Sequence, residues 1–207
     1  MAGLEELKQA IISGKREAAK ELTQKALEGG MKPREIVVDG IAAAMGVVGQ
    51  KFHDNEFFVP ELLIAQRAMK EALSLMSEED VDHIGTVAIG TVKGDLHDIG
   101  KNLVAAMLEG AGFKVLDLGV DVSPDQFVKA AQEDSANVIA MSALLTTTMG
   151  SMRDTVAALE TAGIRDKTRV LIGGAPVTQS YADEIKADGY APDAATAVEK
   201  AKALSPA

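Results

Sequence analysis

Cysteine is absent from this sequence, which excludes disulfides, thiolate nucleophiles and cysteine-built zinc or iron–sulfur sites. Tryptophan is absent too, and aromatics are only 3% of the residues, so any core must be packed from Ala, Val, Ile, Leu and Met. No apolar run approaches the roughly 18 residues that a membrane span needs. The opening Met1-Ala2-Gly3-Leu4-Glu5-Glu6 lacks the basic and apolar regions of a signal peptide. Positive charge is in deficit: a formal net charge of −10 would repel nucleic acid and an anionic membrane surface alike. These absences predict a cytoplasmic chain whose partners are proteins or small molecules, with no nucleic acid and no membrane among them. What is present is 207 residues, 47% of them hydrophobic, which is enough for one or two packed domains.

Up to about Glu79 the pattern is helical throughout. Leu4, Leu7 and Ile11 share one face, and Ala18, Leu22 and Ala26 share another. Gly29-Gly30 is a helix stop, and Pro33 suits the first position of the helix that follows. That third helix carries Val37, Ile41, Met45, Val48 and Phe52 at steps of three or four. A fourth begins near Pro60 and shows Leu62, Ala65, Met69, Ala72 and Met76. Four amphipathic helices with short connections predict a small bundle over residues 1–79. The tract from Met76 to His83 is polar and acidic, and residues 80–84 are expected to be a linker.

From about Gly85 the period changes. Thr86 to Val92 is a continuous β-rich run, as expected for a strand buried on both faces of a parallel sheet. A helix is predicted from about Ile99 to Glu109, then strands at Lys114–Leu118, Val138–Met141 and Val170–Ile172. A weak fifth strand is expected near Gly189-Tyr190-Ala191, before a last helix from about Ala194. Ser123-Pro124-Asp125-Gln126 reads as a capping box with Pro at the first helical position. Strict alternation of β and α elements over residues 85–207 predicts a doubly wound α/β domain. Ligands of such sheets sit outside the carboxyl ends of the strands, where strand order reverses. That rule singles out Lys93 to Gly100, Ser142 to Gly150, and Gly173-Gly174.

The first of these loops reads Gly94-Asp95-Leu96-His97-Asp98-Ile99-Gly100-Lys101-Asn102. An Asp that accepts a hydrogen bond from one imidazole nitrogen fixes the tautomer and makes the other nitrogen a better metal ligand. Gly94 and Gly100 remove side chains where a bulky ligand or a backbone must approach closely. Read without context, the pair also suits a helix-capping Asp beside an ordinary turn His. A zinc site is less well supported, since only His53 and His83 remain as imidazoles and neither is at a ligand spacing. The glycine spacing fits neither phosphate-loop nor dinucleotide fingerprints.

Asp95-x-His97-x-x-Gly100 resembles the cobalamin-binding signature of B12-dependent methyltransferases and mutases. Two further blocks match: Ser142 to Met149 resembles the family's Ser-x-Leu block, and Ile172-Gly173-Gly174-Ala175 its Gly-Gly block. The helical half resembles the cap domain of methionine synthase and of small corrinoid proteins of anaerobic methyl metabolism. Met45 to Phe52 and Glu56 to Leu63 carry that likeness. The implied architecture is a four-helix bundle followed by a flavodoxin-like or Rossmann-like B12-binding domain.

The resemblance implies cobalamin bound base-off and His-on, with His97 the axial ligand to cobalt. Asp95 would hydrogen-bond His97, and Thr148, where methionine synthase has Ser, would complete a catalytic relay behind Asp95. Gly94, Leu96, Asp98, Gly100 and Leu144 are implied as cofactor-binding positions. Ser142 and Thr146 would hold the displaced nucleotide tail, Gly173 and Gly174 would leave it room, and Ala194 falls near another family contact. The resemblance implies Phe58 and Val59, and after them Phe57 and Met45, as cover for the upper face of the corrin; the same residues also suit the core of the bundle. The implied role is that of a methyl carrier, a methyltransferase component cycling its cofactor between methylcobalamin and cob(I)alamin. It would need a substrate-specific methyltransferase, an acceptor methyltransferase serving tetrahydrofolate or coenzyme M, and a reductive activase. A B12-dependent regulator or photosensor and the small subunit of an adenosylcobalamin mutase use similar parts. The sequence offers no DNA-binding domain for the first and no barrel for the second.

Overall fold

The computed structural model describes residues 2–77 and 83–205, so most of the linker expected at 80–84 lies outside the described residues. On either side the periodicity changes as the sequence predicts, and the chain divides into two units. One is Met1–His83 with Glu109–Gly112; the other is Ile84–Leu108 with Phe113–Ala207.

The helical unit contains α1 (Ala2–Ile12), α2 (Arg16–Glu28), α3 (Pro33–Glu35), α4 (Ala43–His53) and α5 (Val59–Leu73), with a π-helical stretch at Ile36–Ala42. Leu4, Leu7 and Ile11 of α1 are buried, as are Leu62, Ala65, Met69 and Ala72 of α5. On α2 the buried stripe is Ala19 and Thr23, one position on from Ala18, Leu22 and Ala26, which are only half-buried. Thr23 is tolerated there because its hydroxyl donates to the Ala19 carbonyl at 2.8 Å. The single helix expected over residues 33–52 is three consecutive segments, with the wider π turn in the middle. Val37, Ile41 and Met45, spaced by four, reach the core with or without that widened turn, so the apolar period cannot reveal it. The chain enters α5 one residue earlier than expected, at Val59, and the Glu61 carboxylate accepts the Phe58 N–H at 3.0 Å.

The second unit alternates β1 (Thr86–Thr91), α6 (Ile99–Gly110), β2 (Lys114–Asp117), α7 (Pro124–Glu133), β3 (Val138–Ser142), α8 (Gly150–Thr161), β4 (Arg169–Gly173), α9 (Gln179–Glu184), β5 (Gly189–Ala191) and α10 (Ala194–Leu204). Its five strands are parallel in the order β2-β1-β3-β4-β5. Order therefore reverses between β1 and β3, and their carboxyl ends define the crevice where this fold binds ligands. Val87, Ala88, Ile89, Val138, Ile139, Ala140, Val170, Leu171 and Ile172 are all buried, which is why these runs show no apolar–polar alternation. The capping box at α7 forms as expected, with Gln126 Oε1 accepting the Ser123 N–H at 2.9 Å. The first strand stops at Thr91, and Val92 continues it only as a single bridge to Val122.

Candidate functional site

Three turns meet at the reversal point: β1–α6, β3–α8 and β2–α7. In the first, the Asp95 N–H donates to the Val92 carbonyl at 3.0 Å, closing a turn whose third residue is Gly94 at φ +84°. A non-glycine residue rarely adopts that φ, so the turn itself calls for Gly94 before any ligand is considered. The carboxylate that follows is completely buried. Its Oδ1 accepts from the His97 N–H at 3.1 Å and lies 2.6 Å from His97 Nδ1. Its Oδ2 accepts from Leu144 N–H at 2.8 Å, Leu145 N–H at 3.3 Å and the Thr148 hydroxyl at 2.8 Å.

Burial alone would raise the Asp95 carboxyl. The Leu144 N–H, then His97 and Thr148, stabilise the anion more strongly and hold it well below the usual carboxylate range. An ionised carboxylate only accepts, so His97 Nδ1 carries a proton, and in the neutral ring the lone pair is on Nε2. The His97 side chain is 51% exposed, so the ring is open to a ligand. The Thr91 hydroxyl donates to the His97 carbonyl at 2.8 Å and fixes the loop from beneath.

The surroundings are apolar and uncovered. Leu96 and Ile99 are 71% and 77% exposed, and Leu144 and Leu145 are exposed beside them. A projecting imidazole amid exposed aliphatic side chains suits a broad, largely apolar ring that takes one axial nitrogen and brings its own remaining metal ligands. Among the described residues, no group of three or more His, Cys, Asp or Glu could hold a bare metal ion. Nor is any helix among them long and apolar enough to cross a membrane.

The other sequence-selected positions divide. Asp98 is exposed and accepts from Asn102 at 3.0 Å; Gly100 is exposed in the first turn of α6; Thr146 is exposed and Ser142 half-buried on the β3 side. Gly173 and Gly174 do reach this edge, but both are required by the backbone. A Cβ on Gly173 would lie 2.9 Å from the Ala191 carbonyl oxygen, and one on Gly174 only 1.9 Å from that of Ala143. Ala194 is buried in the first turn of α10. In the helical unit Phe58 is exposed at the start of α5, Val59 and Phe57 are half-buried, and Met45 is buried.

Sequence reasoning missed Lys101, Asp117 and Asp121. The Lys101 ammonium, 2% exposed, sits 2.5 and 2.6 Å from the Asp117 carboxylate oxygens. Its position on the same helical face as Ala105 and Leu108 was a legible signal, since a lysine there needs an acid. Asp121 had no such signal, because its role depends on a backbone conformation.

Removing the Thr148 donor while keeping its shape tests the relay. Thr148→Val should lower stability by about 1–3 kcal/mol at neutral pH in urea unfolding, with the Asp95 carboxyl raised. Thr148→Ser, which keeps the hydroxyl, should lose less than about 1 kcal/mol.

Residues 85–199 match the family described as B12 binding domain, and residues 4–76 match a second family of the same description. Dimethylamine corrinoid protein 1 of Methanosarcina mazei is 43% identical over 206 residues, covering 97% of this chain and 95% of its own. The trimethylamine corrinoid protein of Methanosarcina barkeri is 44% identical over 213 residues, covering 98% of each. Among solved structures, the methanol:cobalamin methyltransferase complex MtaBC of Methanosarcina barkeri superposes with a TM-score of 0.90 at 31% identity, covering 98% of this chain and 79% of that one.

Proposed function

The chain belongs to the B12-binding corrinoid proteins of methyltransferase systems, and from that premise we propose that it carries a methyl group between two methyltransferases. One would be specific for a methylated substrate; the other would serve an acceptor such as tetrahydrofolate or coenzyme M, with a reductive activase restoring the carrier. Cobalamin is the cofactor, and when bound it supplies a cobalt centre that takes up and releases a methyl group. The observation that carries the reading is the half-exposed imidazole of His97, whose Nδ1 lies 2.6 Å from the buried Asp95 carboxylate.

The protein's own residues have separable tasks. His97 would hold the cobalt of a bound cobalamin through Nε2, in place of the cofactor's own base. Asp95 keeps the proton on Nδ1, and Thr148 donates to the far oxygen of the same carboxylate. The ionised Asp95 would stabilise positive charge on His97 through Nδ1, and Thr148 would support that carboxylate at its other oxygen. Leu96, Ile99, Leu144 and Leu145 would offer a bound cofactor an apolar surface and exclude water beside His97. Ser142 and Thr146 offer hydroxyls to a nucleotide tail. For the helical unit, the exposed Phe58 ring and half-buried Val59 are the residues we propose for the cap role that the resemblance implies. The relatives named above carry the names of amine corrinoid proteins and a methanol:cobalamin complex; none is a regulator or a mutase.

The test loads the protein with hydroxocobalamin, removes the excess, and compares absorption spectra of wild type and His97→Ala. Wild type should retain about one equivalent with an imidazole-ligated spectrum, and His97→Ala should lose that signature. Folded wild type that retains no cobalamin would overturn the reading. Methyl transfer from methylamines or methanol, each with its own methyltransferase, then separates the candidate donors.

A further inference from the structure

We infer that Asp121, in the β2–α7 turn, is a positioning residue for His97. It acts through the Gly94–Asp95 peptide, and the inference rests on the cobalamin reading above. Asp121 has φ +55°, a left-handed conformation that is uncommon for residues with a Cβ and that Asp and Asn adopt more readily than the others. Of the four non-glycine residues with positive φ among those described, Asn55, Asp121, Ser135 and Lys186, it alone lies at the carboxyl edge of β1. A turn that merely joined β2 to α7 would be relaxed by glycine there. An unfavourable conformation kept at a ligand-binding edge points to a task.

The task is visible in its two bonds. Asp121 Oδ1 accepts the Gly94 N–H at 2.7 Å, and the Asp121 N–H donates to the Asp95 carbonyl at 3.0 Å. The two bonds bracket the peptide that leads into Asp95, and the left-handed backbone lets one residue make both. The rest of the turn is laced to the same strand end. Thr91 N–H donates to the Gly119 carbonyl at 3.0 Å, Val92 bridges Val122, and Asp117 holds both Lys101 and the Gly119 N–H. Asp95 must aim one oxygen at His97 and the other at Leu144 and Thr148, so a small rotation of its Cα misaligns both. Asp121 is what opposes that rotation from the β2 side.

Asp121→Gly removes the side-chain acceptor and relieves the backbone; Asp121→Asn keeps an acceptor oxygen and tolerates the left-handed region. Asp121→Gly should melt within a few degrees of wild type. Its ratio of imidazole-ligated to unligated cobalamin, read by absorption at one fixed pH, should fall roughly three- to tenfold, as losing one hydrogen bond implies. In the cofactor-free protein, the share of Nδ1-protonated His97 seen by 15N NMR should fall in the same direction. Asp121→Asn should restore both. A wild-type ratio and tautomer in Asp121→Gly, or no recovery in Asp121→Asn, would overturn the inference. If Asp121→Gly does not fold, Asp121→Ser, too short to reach Gly94, is read against Asp121→Asn by the same two measurements. Should wild type retain no cobalamin, the carrier reading fails while the tautomer measurement still decides the role of Asp121.

Discussion

Asp95→Ala should destabilise the α/β unit by about 2–6 kcal/mol and leave any retained cobalamin without its imidazole ligand. The first effect follows from what the substitution orphans. The Leu144 and Leu145 N–H groups converge on a carboxylate with no solvent contact, and each unsatisfied buried donor costs about 1–3 kcal/mol, whereas the Thr148 hydroxyl can turn to the Leu145 carbonyl. Against a typical domain stability of about 5–15 kcal/mol, the loss is visible in a simple thermal melt. Asp95→Asn separates folding from ligation. Its single amide oxygen can still serve the Leu144–Thr148 side, but the NH2 then faces His97 Nδ1 and makes that nitrogen an acceptor. The proton moves to Nε2, where no lone pair remains for cobalt. Asn should therefore keep much of the fold and lose the imidazole-ligated spectrum; an unchanged spectrum would refute the tautomer argument.

The same carboxylate gives the cofactor-free protein an acid-sensitive component of stability. Its folded pKa lies below the ordinary value near 4, so the contribution is fully present above about pH 4. It fades as pH falls through the folded value, because protonation then costs the native state its anion. Urea unfolding between about pH 5 and 2 should show a steeper loss in wild type than in Asp95→Asn, whose amide cannot titrate.

Gly174→Ala is expected to be as damaging from a different cause. Gly174 has φ +126°, a region closed to residues with a Cβ, and the added carbon would sit 1.9 Å from the Ala143 carbonyl oxygen. Backbone on backbone leaves no rotamer to yield. Strain of about 1–3 kcal/mol for the dihedral alone, plus the separation of the β3 and β4 ends, should cost roughly 4 kcal/mol or more. Gly46→Ala in α4, with nothing within 4 Å of its Cβ, is the control and should be neutral or stabilising by up to about 1 kcal/mol. Calorimetry on the two variants decides it; equal melting temperatures would contradict the packing argument.

The fold was legible wherever burial is symmetric. Strands flanked by helices on both faces declare themselves as unbroken β-branched runs, and even the three-residue β5 lies at Gly189–Ala191 as expected. Less was legible where one apolar stripe suits several geometries. Ala18 and Ala19 are equally apolar, so the rotation of α2 is undetermined by composition, and a π turn preserves the spacing of four that announces a helix. At the site, Asp95 and His97 could be read together because they are two residues apart. Thr148, 53 residues away, was reached only through a family likeness. The glycines show a subtler gap: Gly94 and Gly174 stood out as room for a ligand, whereas their backbone angles and neighbours already require them. Asp121 was beyond reach, since nothing in a residue's identity announces a left-handed backbone.

The division of labour within one carboxylate constrains how this chain can change. Asp95 Oδ1 belongs to its own turn and Oδ2 to the Leu144–Thr148 turn, where two donors four residues apart converge on a single atom. Surface turns ordinarily accept added or deleted residues freely. Here a single insertion between positions 144 and 148 would push one donor off the shared oxygen and be felt at the imidazole, without altering any residue that touches it. Length, more than residue identity, is what that turn must conserve.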